Sequence, residues 1–197
     1  MEPYSMVVGG ADIYLAPVGE DYPDVDEDPS GNWELLGSSG KKDYSEDGIT
    51  VNHEQTLNQF RSLGSTGPRK VSRSEENLTV SGVLEDLTLE EYAKVLNDVS
   101  VSTGSAASGA DTKEINIRQG TDVSVFALLI RIPNAYGNGW LAQVEIPRVY
   151  QSENPSPTFS KDEKAGLSFT FTALEDEDAA TDDERFGKII HQTGDAD

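Results

Sequence analysis

Residues 48–57 read Gly-Ile-Thr-Val-Asn-His-Glu-Gln-Thr-Leu, with Ile49, Val51 and Leu57 on one parity and Thr50, Asn52, Glu54 and Thr56 on the other. A period of two is the mark of a strand with one covered face and one wet face. Leu78 and Val80 against Thr79 and Ser81 repeat it over residues 77–84. Leu167, Phe169 and Phe171 against Ser168, Thr170 and Thr172 repeat it over residues 164–174. Residues 125–130, Val-Phe-Ala-Leu-Leu-Ile, are apolar on both parities, which predicts a central, doubly covered strand within 122–132. Further strands are expected at 11–18, at 32–37 around Trp33, at 113–118 and at 140–150. In the last, Ala142, Val144 and Ile146 should point inward, and Gln143 and Glu145 outward. Residues 100–111, rich in Ser, Gly and Ala, read as a surface loop, and 134–139 as a turn. Such a chain has to cover its apolar strand faces, so the expected class is mainly β: antiparallel sheets in a sandwich or barrel-like arrangement.

One helix is strongly signalled, over about residues 88–97. Thr88 stands as N-cap with Glu91 three residues on, the spacing of a capping box, and Leu87 with Tyr92 has the spacing of a hydrophobic staple. Leu89, Tyr92, Ala93 and Leu96 form one apolar stripe, and Asn97-Asp98 is the expected stop.

Between the first two alternating segments lies a long loop, about residues 58–76, with Gly64, Gly67 and Pro68, too irregular for a tight hairpin turn. Its charge is unlike the rest of the chain. No acidic residue occurs from 55 to 74, whereas Arg61, Arg69, Lys70 and Arg73 do, in a protein with 15 Lys+Arg against 36 Asp+Glu. A basic arm on an acidic body suits docking on a neighbouring copy. An ordinary solvated loop is the other reading.

The formal net charge of −21 sits mainly in loops and in the C-terminal residues. Duplex DNA is held by Lys and Arg that displace its counterions, so such a body repels DNA. Residues 1–174 are expected to form one β domain, and 175–197 an acidic tail with a short apolar segment, Phe186 to Ile190. Without cysteine there are no disulfides or thiolate metal sites. Residues 1–10 lack the pattern of a secretory signal, and no apolar run reaches bilayer length, so a soluble protein made in the cytoplasm is expected. Asp24, Asp26 and Asp28 invite a calcium reading, but Pro29 and Leu35 fall where an EF-hand loop needs its glycine and its bidentate glutamate. His53 and His191 stand in no metal or catalytic spacing, and His53 reads as a buried or interface residue. Gly187-Lys188 lacks the rest of a P-loop. No enzyme, cofactor or metal is indicated.

The segments Ala11-Asp-Ile-Tyr-Leu-Ala-Pro-Val-Gly19, Asp43-Tyr-Ser-Glu-Asp-Gly48, His53-Glu-Gln-Thr56 and Leu87-Thr-Leu-Glu-Glu-Tyr-Ala-Lys-Val-Leu-Asn97 resemble the tail tube proteins of long-tailed bacteriophages. The resemblance covers residues 10–98, and 113–174 are a compatible string of strands. It implies a β-sandwich with a flanking helix, a hexameric ring, and rings stacked into the hollow virion tail tube, assembled in the host cytoplasm. DNA would pass through that tube without specific binding. Tape measure and tail terminator proteins would be partners. The long loop would contact the next ring through Arg61, Arg69, Lys70 and Arg73. The face carrying Thr50, Asn52, Glu54, Thr56, Thr79 and Ser81 would line the lumen. A tail terminator or secretion-tube relative is the near alternative. A monomeric acidic module holding calcium or carbohydrate is the alternative of another class.

Overall fold

The computed structural model describes residues 9–85, 87–133, 139–157 and 165–193. In chain order the strands are β1 (Asp12–Pro17), β2 (Glu34–Leu35), β3 (Thr50–Phe60) and β4 (Lys70–Leu84). Helix α1 (Leu89–Val95) follows, then β5 (Val101–Ser105), β6 (Asp111–Ile115), β7 (Val125–Pro133), β8 (Leu141–Gln151), β9 (Leu167–Ala173) and β10 (Lys188–His191). The fold is mainly antiparallel β with a single α-helix among the described residues.

One continuous sheet runs β2-β1-β7-β8-β9-β4-β3, and β10 adds to β8. Strand β8 makes this possible by changing partners along its length. Its first residues, Ala142 to Glu145, pair with β10, and its last, Val149 to Gln151, pair with β9. The sheet therefore folds over its own apolar face. Ile13, Leu15, Leu128, Ile130, Val144 and Ile146 from one part meet Leu78, Val80, Leu84, Leu167, Phe169 and Phe171 from the other. Leu78 and Val80 are buried, with Ile49 and Val51 packed beside them, as the alternation predicts. Gly82 lies opposite Phe169, and a Cβ there would come within 2.8 Å of the ring, so the missing side chain is the space the phenylalanine fills. Tyr44 ties the two parts together: its hydroxyl accepts from Ile13 N at 3.2 Å and donates to Leu36 O at 2.6 Å. Burial raises its pKa.

Strand β7 is covered on both sides, as its two-sided apolar run predicts. Leu128 and Ile130 enter the main core, while Ala127 and Leu129 join a second cluster with Ala16 and Trp33. Gln143 and Glu145 of β8 point the predicted way but are buried. The acidic loop of residues 20–28 reaches Gln143 through Pro23 O (3.0 Å), and Lys188 of β10 lies 3.2 Å from the Glu145 carboxylate.

Helix α1 starts where its signals place it. Thr88 Oγ1 accepts from Glu91 N at 3.2 Å, and Leu87 and Tyr92 pack on the core. The capping box is only half made, because Glu91 turns its carboxylate toward Lys94 Nζ (3.8 Å). Asn97 and Asp98, at φ 107° and 53°, end the helix. Asn97 then holds the following loop, donating to Gln119 O and Asp122 O and accepting from Ser124 N. Thr88→Ala should cost about 0.5–2 kcal/mol, read as a lower urea midpoint. An unchanged midpoint would show that the cap contributes nothing here.

Two expectations fail in the same way. The long loop expected at 58–76 is mostly strand: β3 and β4 pair directly through Phe60 and Lys70, leaving only 61–69 as loop. The surface loop expected at 100–111 is mostly the hairpin β5–β6. The outer part of the first hairpin and most of the second are exposed on both faces, so residues 58–60, 70–76 and 101–105 lack the alternation that reveals a strand. The turn expected at 134–139 lies outside the described residues except Gly139.

Candidate functional site

Strands β3 and β4 carry the chain's most conspicuous surface. They pair over the whole of β3, yet only the root rests on the core. Residues 52–60 and 70–77 are exposed on both sides, a ribbon of about 30 Å at 3.3 Å per residue. Its loop is ordered by Arg69 N donating to Phe60 O (2.8 Å) and Arg61 Nη1 donating to Thr66 O (3.1 Å). Leu57, Phe60, Leu63 and Val71 are exposed on it, Leu63 fully. A two-stranded ribbon is marginal by itself in water, and this one offers apolar side chains with nothing of its own chain over them.

Direct cross-strand partners share a face, so the register sorts the ribbon's side chains. Thr50 faces Ser81, Asn52 faces Thr79, and Thr56 faces Glu75. All six residues expected on the polar face do lie on one face: Thr50, Asn52, Glu54, Thr56, Thr79 and Ser81. That face continues across β9, where Thr172 pairs with Thr79 and Thr170 with Ser81. Thr170, Thr172 and Ser168 thus join a hydroxyl-rich surface three strands wide. Its residues on β3, β4 and β9 include no Lys or Arg until Lys70, at the far end of the ribbon. Sequence alternation shows that β9 has a polar side, but only the pairing of β9 with β4 puts it beside these residues.

The four basic residues are not one cluster. Arg61 and Arg69 flank the loop and Lys70 opens β4 on the polar face. Arg73 lies on the opposite face, bonded to Gln55 and 3.0 Å from the Glu76 carboxylate. Arg69 and Lys70 have no ion pair among the described residues. His53 is exposed beside Leu78, not buried, because β3 has already left the core there.

Beneath the Arg73 face lies a groove of about 590 Å³ between the ribbon's root and the C-terminal residues. Val51, Leu78, Val144, Ile146 and Phe186 give it an apolar floor, and Asp182 and Asp183 stand on its rim. Its far wall depends on Gly187, at φ 108°, where a Cβ would fall 1.8 Å from Glu145 O. Beyond that glycine the apolar segment of the acidic tail forms β10 against β8.

The acidic loop near residue 24 has its own cation. Arg131, which is buried, donates through Nη2 to Asp24 O (2.7 Å) and Glu27 O (2.8 Å), and through Nη1 to Val25 O. Burial lowers its pKa, opposed by the charges of Tyr14 and nearby carboxylates, and an arginine still keeps its proton. The carbonyl oxygens of this loop are thus turned onto a guanidinium. Among the described residues no group of three His, Asp or Glu is placed to hold a metal ion, and no helix is long and apolar enough to cross a membrane.

No protein-family model and no curated protein matches the sequence. Among solved structures, a chain in the tail of an empty GTA particle, obtained by helical refinement with C6 symmetry, is similar at 10% identity and a TM-score of 0.39. The match covers 83% of this chain and 89% of that one. A likeness at that score fixes neither fold nor function.

Proposed function

We propose that this chain is a structural, non-enzymatic subunit of a phage-type tail tube, closing with further copies into hexameric rings that stack into a hollow conduit for DNA. The β3–β4 ribbon carries the reading. It projects about 30 Å beyond the core, exposes Leu57, Phe60, Leu63 and Val71, and ends in cations on an acidic chain. Such an arm suits a head-to-tail contact between different patches of identical subunits, the kind that builds open-ended stacks. The resemblance of residues 10–98 to tail tube proteins supports the same reading. So does the face of Thr50, Asn52, Thr79, Ser81, Thr170 and Thr172, whose hydroxyl and amide groups include no cation to displace the counterions of DNA phosphates. Tape measure and tail terminator proteins follow as partners, and the virion tail as location.

Negative-stain microscopy of the concentrated protein tests this directly. Rings and tubes with a central channel are expected. A protein that stays monomeric at every concentration, and melts higher when calcium is added, would replace the tube with the acidic binding module.

A further inference from the structure

The acidic C-terminal residues have no role in the tube reading as stated, yet they wall the groove under the ribbon. We infer that this groove is the receptor for the ribbon tip of a second copy, so that one arm's loop seats against the root of the next arm. The inference rests on the tube reading and deepens it by naming the surface that receives the arm.

Three observations fit tip and groove together. The first is charge. The tip carries Arg61, Arg69 and Lys70, and no acid occurs from 55 to 74. Of the acids between Glu175 and Glu184, Glu175, Asp182 and Asp183 line the groove, beside Arg73, Arg185 and Lys188, and Arg73 and Lys188 are held by Glu76 and Glu145. Two of these acids are neutralised in place: Arg185 reaches Glu175 at 3.4 Å and Asp182 at 3.0 Å. Asp183 has no ion pair among the described residues and stands at the rim. Basic tip and acidic rim would steer the two together and fix their orientation.

The second is apolar surface. Leu63 is fully exposed at the tip and Phe60 half-exposed below it. The groove's floor is apolar, and Ile189 of β10 is exposed at its lip. Covering both with each other removes apolar surface that each copy otherwise leaves in water.

The third is reach. Seven residue steps along β3 separate His53, which lines the groove, from Phe60, roughly 23 Å of extended strand before the loop begins. A paired ribbon cannot fold its tip back over that distance, so the tip that enters a groove comes from another molecule. Tip and groove are different patches at opposite ends of one ribbon, so the contact repeats by displacing each copy along the ribbon axis.

The chain has no cysteine, which makes the test free of background. A double variant, Leu63→Cys with Asp183→Cys, is assembled, oxidised and run on a non-reducing gel. A ladder of dimers, trimers and higher species is expected, because each copy bears both halves of the contact. The single variants give nothing beyond a dimer. Ile189→Cys with Leu63→Cys is the second pair, at the other lip, should Asp183→Cys disturb the segment. Tubes that form in both pairs without a ladder would overturn the receptor while leaving the tube reading intact. An unaltered protein that never assembles would overturn both. Charge exchange gives an independent arm: Asp183→Lys should restore assembly, at least in part, to chains made inactive by Arg61→Glu and Arg69→Glu. Failure to restore it, with both variants folded, would count against the groove.

Discussion

Reversing Arg61, Arg69 and Lys70 to glutamate is expected to leave a folded monomer that no longer grows into tubes. The three lie at or beside the loop 61–69, exposed, so the fold should not feel the change. An exposed ion pair is worth about 0.2–1 kcal/mol. Turning three attractions into repulsions therefore costs roughly 1–6 kcal/mol per arm. A ring adds to a tube through several arms at once, so the loss multiplies and length should collapse rather than shorten slightly. Arg73 is left out of the set. It is paired with Glu76 on the ribbon's stem, and reversing it would break a contact within the chain. Unmodified tubes should also weaken as salt rises, since surface charges are screened beyond about 10 Å at 0.1 M. Micrographs measure tube length, and urea unfolding of the monomer confirms the fold. Tubes of normal length from the triple variant would show that the arm's charges play no part.

What the sequence reveals and what it hides divides along burial. Strands with one face on the core announce themselves: Val80, Leu167, Phe169 and Phe171 are buried where the alternation puts them. So does α1, because Thr88 must satisfy a free amide and the stop falls on Asn97, which takes a left-handed φ. The outermost parts of β3 and β4 bury neither face, so no covered-face pattern marks them, and residues 58–60 and 70–76 read as loop. Gln143 and Glu145 show the converse. Their parity is right, but two elements distant in sequence, the loop at Pro23 and β10 at Lys188, close over them. The polar face is legible strand by strand, whereas its width depends on β9 lying beside β4, a long-range pairing no local pattern carries. Arg131 is hidden for a similar reason. A lone cation in an apolar run gives no hint that the carbonyls of Asp24, Val25 and Glu27 will be brought to it.

That polar face supplies the second large effect, through Thr50→Lys. Thr50 is exposed, pairs with Ser81, and lies on the side away from the core, so a longer side chain has room. If the face meets bulk solvent, the substitution changes little, within about 0.5 kcal/mol in stability and nothing in function. If it lines a channel, each subunit of every ring contributes one lysine to the DNA path. Every lysine that meets a phosphate releases condensed counterions, adding about 0.9 to the slope of log affinity against log salt. A fourfold rise in salt then weakens each contact roughly 3.5-fold. Particles built from Thr50→Lys chains should assemble normally and eject DNA slowly or incompletely, with the defect eased as salt is raised. Thr170→Lys on β9 should reproduce it, because that residue shares the face through Ser81. Arg61→Lys, at the tip, should not, since it adds no charge. Ejection at the normal rate from fully substituted Thr50→Lys and Thr170→Lys particles would mean that another face lines the channel.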